Sequence, residues 1–296
     1  MKDRNETAPV IFGEVLYDRF PDGRTVLGGA PFNVAWHLQA LGLAPLMITA
    51  VGDDALGREI RRAMVDWNLD TRGVQTDPNH PTGTVEVSLA GGQPSYEIAA
   101  ERAYDHLQVD QFPALPRGGI LYHGTLALRH PASRDALNHI KQACGARVFV
   151  DVNLRSPWWR PDTVMALLAG AGWVKLNQEE LGLLAPAHLA LPDQAAWLVA
   201  ELQLSGLVVT MGEAGAFVLA DGETIRAEAS ESRQTVVDTV GAGDSFSSVV
   251  LLGLTRGWAW PLILERAQLL AGAFVGLRGA TTTDRTFYEN FTRMWE

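Results

Sequence analysis

The sequence predicts an α/β protein with a central, mostly parallel sheet and helices on both of its faces. Three observations carry that expectation. Past residue 118, short apolar runs at 119–123, 147–152, 173–176 and 207–210 read as buried strands. Helical patterns at 133–142, 163–169 and 195–203 separate them. Regular strand–helix alternation builds parallel sheets, because each crossover lays a helix on one face. The polar clusters also fall just after the strands, where ligands of open α/β sheets bind.

Earlier in the chain, 9–15 reads as a buried first strand ending in Gly13-Glu14, followed by Asp18 and the turn Pro21-Asp22-Gly23. The pair Gly28-Gly29 leads into an apolar-periodic helix at 34–41, closed by Gly42. The pair would serve as plain punctuation, but Asn33 on the adjoining turn is placed to hydrogen-bond a ligand. A second strand at 46–51 and a helix at 56–67 follow. Residues 82–90 then alternate, Gly91-Gly92-Gln93-Pro94 makes a turn, and 95–99 pairs back. A β-hairpin inserted in a βα chain is a candidate lid.

The chain has 296 residues, nearly half of them apolar, enough for a large core in one α/β domain or two. A formal charge of −10 argues against a nucleic-acid or anionic-membrane surface. The single cysteine, Cys144, excludes an internal disulfide and a thiolate metal cluster. Residues 1–7 are charged with no long apolar segment after them, so no signal peptide is expected. The apolar stretch 262–277 carries Glu265 and Arg266 and is too short to span a bilayer. A soluble, cytoplasmic protein is the expectation. With only Lys2, Lys141 and Lys175, none of them after a glycine, a Walker A phosphate loop is excluded. The seven histidines show no metal-ligand spacing.

The most informative stretch is Val237-Asp238-Thr239-Val240-Gly241-Ala242-Gly243-Asp244-Ser245-Phe246, followed by an apolar run. It reads as an extended segment turning through two glycines into a helix. Glycines admit a sharp turn and close ligand approach, and unpaired N–H groups at a helix start favour an anion. Asp238 or Thr239 would suffice as a plain cap. An acid inside the turn, Asp244, is better explained as a base beside an oxyanion-like pocket.

This stretch closely resembles the C-terminal signature of the ribokinase/PfkB family of sugar kinases. Gly28-Gly29-Ala30-Pro31-Phe32-Asn33-Val34-Ala35 and Val51-Gly52-Asp53-Asp54-Ala55-Leu56-Gly57 resemble its N-terminal signature, in a form closer to fructokinases than to ribokinases. The resemblance implies a ribokinase-like three-layer α/β/α sandwich. It implies one catalytic domain over 1–296, with lid elements at about 13–30 and 82–105 that often serve as a dimer contact. It further implies phosphorylation of a free sugar hydroxyl by ATP, fructose first, with a cytoplasmic small-molecule kinase as the overall picture. Another sugar or sugar acid (2-keto-3-deoxygluconate, ribose) and a non-catalytic sensor are the alternatives.

By that resemblance Asp244 deprotonates the hydroxyl, and Gly241, Ala242 and Gly243 form the anion hole. Asp18, Gly28, Gly29 and Asn33 hold the sugar. Asn153 and Arg155 lie in a segment, Asp151-Val152-Asn153-Leu154-Arg155, whose Asp-x-Asn-x-Arg pattern is substrate-side in fructokinases; a salt-bridged strand end explains it equally well. Asn177 and Glu180 match the family's Asn-x-x-Glu element, which organises magnesium and phosphate water, and also fit a helix capping box. Thr210, Gly212 and Gly215 border the nucleotide in the family, and form a tight hairpin on geometry alone. The carbonyls of Asp238 and Val240 correspond to a potassium site, and 277–282 to the loop closing the adenine pocket. Tyr104 either packs the lid or touches substrate, and the last residues, 286–296, carry no signal.

Overall fold

The computed structural model describes residues 7–90, 93–228 and 238–296. The expected turn at Gly91-Gly92, the N-terminal residues 1–6 and Val237 lie outside them. Strand β1 (Val10–Phe12) opens the core; β2 (Leu16–Arg19) and β3 (Thr25–Gly28) leave it, and α1 (Ala30–Ala40) returns. Next come β4 (Leu46–Gly52), α2 (Ala55–Asp66), β5 (Val74–Asp77), β6 (Gly83–Ala90) and β7 (Gln93–Ile98). The regular half runs β8 (Ile120–His123), α3 (Pro131–Cys144), β9 (Arg147–Asp151), α4 (Pro161–Leu168), β10 (Trp173–Asn177), α5 (Gln178–Leu184), α6 (Leu191–Leu202) and β11 (Gly206–Thr210). Then follow β12 (Ala216–Ala220), β13 (Glu223–Ala227), α7 (Ala242–Arg256), α8 (Trp260–Phe274) and α9 (Arg285–Trp295).

The large sheet runs β13-β12-β11-β10-β9-β8-β1-β4-β5, and only β12 and β13 are antiparallel. Its inner strands, β1, β4 and β8 to β11, are largely buried and apolar on both faces, as a covered parallel sheet requires. Ile11, Met47, Tyr122, Phe149 and Val208 face α1, α2, α7, α8 and α9, while Val10, Phe12, Ile48, Val150 and Val209 face α3 to α6. The fold is therefore the expected three-layer α/β/α arrangement. A separate four-stranded sheet, β3-β2-β6-β7, is built from the segment after β1 and the hairpin.

Several boundaries differ from the sequence reading, each for a local reason. The first strand ends at Phe12: Gly13 has φ 152°, and a Cβ there would sit 2.3 Å from the Pro31 ring. Helix α1 begins four residues early, because Pro31 at the start of a helix needs no N–H partner. Residues near the C-terminus, without signal in the sequence, form α9: Asp284 caps it through Thr286 N at 2.9 Å, and Tyr288 is buried against His37 Nδ1 at 2.9 Å. Tyr104 is fully buried, with Arg129 donating to its hydroxyl, so packing is its role here.

Candidate active site

Two loops that are distant in sequence meet at the carboxyl end of β1. Gly29, at φ 109°, is the residue before α1, and a Cβ there would lie 2.7 Å from the Glu14 carbonyl oxygen. That tight passage needs glycine. It orients the first turn of α1 so that Asn33 Nδ2 donates to Asp244 Oδ2 at 2.8 Å. Asp244 lies in the first turn of α7, whose start is formed by Gly241 at φ 80° with no side-chain cap. A Cβ on Gly241 would come within 2.4 Å of Ala280, so the turn is pinned against that loop. Asp238 reinforces it, accepting from Val240 N at 3.0 Å and Gly279 N at 3.1 Å. The Ala242 amide already donates a long 3.4 Å bond to Thr239 O, leaving the Gly243 and Asp244 amides better placed for an incoming anion.

Burial dominates the electrostatics. The Asp244 carboxyl is pushed up to about 6 by desolvation; the Asn33 hydrogen bond opposes this, Asp151 adds to it, and Lys175 and Arg155 pull it down. Asp18, on β2, is likewise raised to about 6 by burial, with Arg155 opposing. Its Oδ2 lies 3.7 Å from where a Gly28 Cβ would stand, so Gly28 leaves the acid uncovered. Arg155 acts on Glu14, Asp18 and Asp244 together, which places this exposed guanidinium among the acids of the cleft.

A second cluster flanks the first. Asn177 Oδ1 accepts from Glu180 N at 2.9 Å while Glu180 Oε2 accepts from Asn177 N at 2.9 Å, the reciprocal capping box at the start of α5. Glu180 Oε1 also accepts from Leu154 N at 2.7 Å, tying α5 to the segment after β9, where Asn153 turns the chain at φ 44°. Burial raises the Glu180 carboxyl. Thr210 stands in register beside Asn177, and Gly212 and Gly215 shape the antiparallel connection from β11 to β12.

Two features escaped the sequence reading. Glu14 is buried, its Oε2 has no hydrogen-bond partner, and desolvation pushes its carboxyl to about 7. An acid directly after a buried strand was the available signal. Lys175 and Asp151 form a buried ion pair, Nζ to Oδ2 at 2.9 Å, with Ser247 Oγ donating to the same oxygen at 2.6 Å. The salt-bridged strand end is thus real for Asp151, but its partner comes from β10. Lys175 Nζ lies 3.4 Å from where a Gly243 Cβ would stand, so the pair sits directly behind the glycine turn.

Comparisons with known proteins agree with this geometry. The model of the pfkB family carbohydrate kinases matches residues 3–286. A fructokinase of Klebsiella pneumoniae is 34% identical over 260 residues, covering 82% of this chain and 83% of that protein. A fructokinase of Escherichia coli is 31% identical over 293 residues, covering 92% and 94%. Among solved structures, an engineered double mutant of Vibrio cholerae fructokinase, bound to fructose, ADP and potassium, superposes with TM-score 0.80 at 25% identity, covering 98% of this chain and all of that one. Aminoimidazole riboside kinase of Salmonella enterica shares the fold with TM-score 0.82 at 24% identity, covering 96% and 99%. Signatures, fold and relatives converge: the chain belongs to the pfkB family of carbohydrate kinases.

Proposed function

We propose that this chain transfers the γ-phosphoryl group of ATP to a hydroxyl of fructose, with Asp244 as the general base. The observation that carries this reading is the Asn33–Asp244 hydrogen bond at the uncapped start of α7. It holds a carboxylate at one fixed angle beside amides free to receive negative charge. A base with a pKa near 6 is ionised at neutral pH yet retains proton affinity, which suits abstraction from an alcohol in the transition state. The Gly241-Ala242-Gly243 turn stabilises the charge on the transferring group, and placement of the two substrates does much of the rest.

Asp18, Gly28, Gly29 and Asn33 contact the sugar in this reading, and Arg155 and Asn153 close over it from the opposite side. Thr210, Gly212 and Gly215 border the nucleotide. Both Glu180 oxygens already accept backbone N–H bonds, so Glu180 fits magnesium only through water, with Asn177 beside it. Magnesium would neutralise phosphate charge in that position. The carbonyls of Asp238 and Val240, held by the bonds to Val240 N and Gly279 N, suit a potassium ion. The four-stranded sheet, within about 13–30 and 82–105 of a single catalytic domain, acts as a lid that excludes water and as the contact for a homodimer. Among the described residues no helix is long and apolar enough to cross a membrane.

A panel of sugars with ATP, read by ADP release, tests the assignment. Turnover should be highest with fructose. A preference for ribose, an aminoimidazole riboside or a keto-deoxy sugar acid would replace fructose while leaving the chemistry at Asp244 intact. No turnover with any sugar would favour a sensor.

A further inference from the structure

Away from the cleft, the described residues contain one cluster with the makings of a metal site. His80, in the connection between β5 and β6, and Glu101 and His106, in the connection after β7, each bring a donor atom within 4.8 Å of the others. Twenty-odd residues of hairpin separate His80 from the other two, so no local spacing betrays the set in the sequence. The sheet topology assembles it by bringing the two roots of the hairpin side by side.

The bonds already present fix which nitrogens are available. Asp77 Oδ2 lies 2.8 Å from His80 Nδ1, so Nδ1–H donates to the carboxylate and Nε2 keeps its lone pair. A carboxylate behind an imidazole in this way orients the ring and raises its basicity towards a metal. His106 Nε2 lies 3.0 Å from Glu101 Oε2, so a cation taking the place of that hydrogen bond meets both donors while the ring proton moves to Nδ1. His130, with its ring centroid 4.3 Å from that of His106, uses Nδ1 to accept from Ala132 N at 3.3 Å. Its remaining nitrogen therefore carries the proton, and His130 is a wall of the cluster rather than a ligand. The His80 and His106 rings lie parallel with centroids 3.6 Å apart, which points their lone pairs along parallel planes. Rotation of one ring brings both to a common ion. Donors on one zinc stand about 3.3 Å apart at the usual bond length of ~2.0–2.1 Å, so a set lying within 4.8 Å closes on an ion as the ring and the exposed Glu101 side chain turn towards it.

We infer that His80, His106 and Glu101 form a binding site for a zinc-class divalent cation at the root of the four-stranded sheet, with Asp77 orienting His80 and water completing the coordination. Two imidazoles and one carboxylate select zinc, cobalt, nickel or copper over magnesium, which prefers an all-oxygen shell. The site is therefore chemically separate from any magnesium that arrives with ATP. An ion here joins the strand entering the hairpin to the segment leaving it.

The test is calorimetric titration of tag-free, EDTA-treated and desalted protein with zinc chloride, without nucleotide, alongside magnesium chloride. One equivalent of zinc should bind to the folded protein. Glu101→Gln removes a ligand from an exposed side chain without disturbing the core, and should weaken zinc binding by ~10-fold or more. His80→Ala should weaken it at least as much, while magnesium should not bind at this site in any variant. Absence of zinc binding to the folded wild-type protein overturns the inference and leaves two self-sufficient acid–imidazole pairs. Equal zinc affinity in wild type and Glu101→Gln also overturns it, because the ion then binds elsewhere.

Discussion

Replacing Asp244 by Asn separates the chemical role of this carboxyl from its cost to the fold. The carboxyl stands at about 6 in the folded protein against 3.8 for an ordinary aspartate, chiefly because burial disfavours its charge. A gap of about two units corresponds to roughly 3 kcal/mol at 1.36 kcal/mol per unit. Since the folded pKa is the higher one, the stabilising advantage of the protonated form is complete below pH ~4 and lost as pH rises through about 6. Asn is neutral at every pH and can still accept from Asn33 Nδ2, so it escapes that loss. Asp244→Asn should therefore match the wild type near pH 4 and exceed it by up to roughly 3 kcal/mol at pH 8, an upper bound because Asp244 keeps partial contact with water. Turnover should fall by ~10² to 10⁴, because an amide cannot take the hydroxyl proton. Urea denaturation at several pH values, beside ADP release with fructose on the same preparations, reads both effects. More than about a tenth of wild-type turnover is above the usual span for a lost general base, and would remove Asp244 from that role. A stability difference that does not grow with pH would show that burial does not hold the carboxyl up.

The wild-type kcat/KM should fall below about pH 6 as Asp244 protonates, and Arg155→Ala should move that limb upward because Arg155 pulls the pKa down; a limb that does not move would place Arg155 outside the cleft in solution. Glu14→Gln should stabilise the protein at pH 8 by roughly 3 kcal/mol, from a carboxyl at about 7 against 4.5, and denaturation curves showing a loss would mean that Glu14 has an unseen partner for its charge. Lys175→Met leaves Asp151 buried beside Ser247 without its cation, and should cost ~3–5 kcal/mol at pH 7, measured by chemical denaturation; an unchanged midpoint would refute the pairing. Gly241→Ala forces a positive φ and a clash with Ala280, costing about 1–2 kcal/mol from the backbone alone and more in activity, so near-normal turnover would argue against the turn as anion hole. Fructose should slow hydrogen exchange in β7 if the small sheet closes over the sugar, and exchange that is unchanged at saturating sugar would count against a lid.

The sequence by itself determined the layers of the fold, because short apolar runs such as 147–152 and 207–210, alternating with helical patterns, fit parallel strands covered on both faces. It also marked the glycine turns at Gly241 and Gly29, where a positive φ favours glycine. Local rules sufficed again at Asn177 and Glu180, whose capping box needs only three residues' spacing. Tertiary structure alone decided the rest. That Asn33 reaches Asp244 across 211 residues, that Lys175 pairs with Asp151 behind the turn, and that His80 meets Glu101 and His106 are consequences of sheet order. Hydrogen bonds and Coulomb interactions act over a few ångströms of space and are indifferent to separation along the chain. The raised pKa values of Glu14, Asp18 and Asp244 belong to the same class. A carboxyl's proton affinity is set by how much water the fold takes away from it, and no residue type or spacing records that.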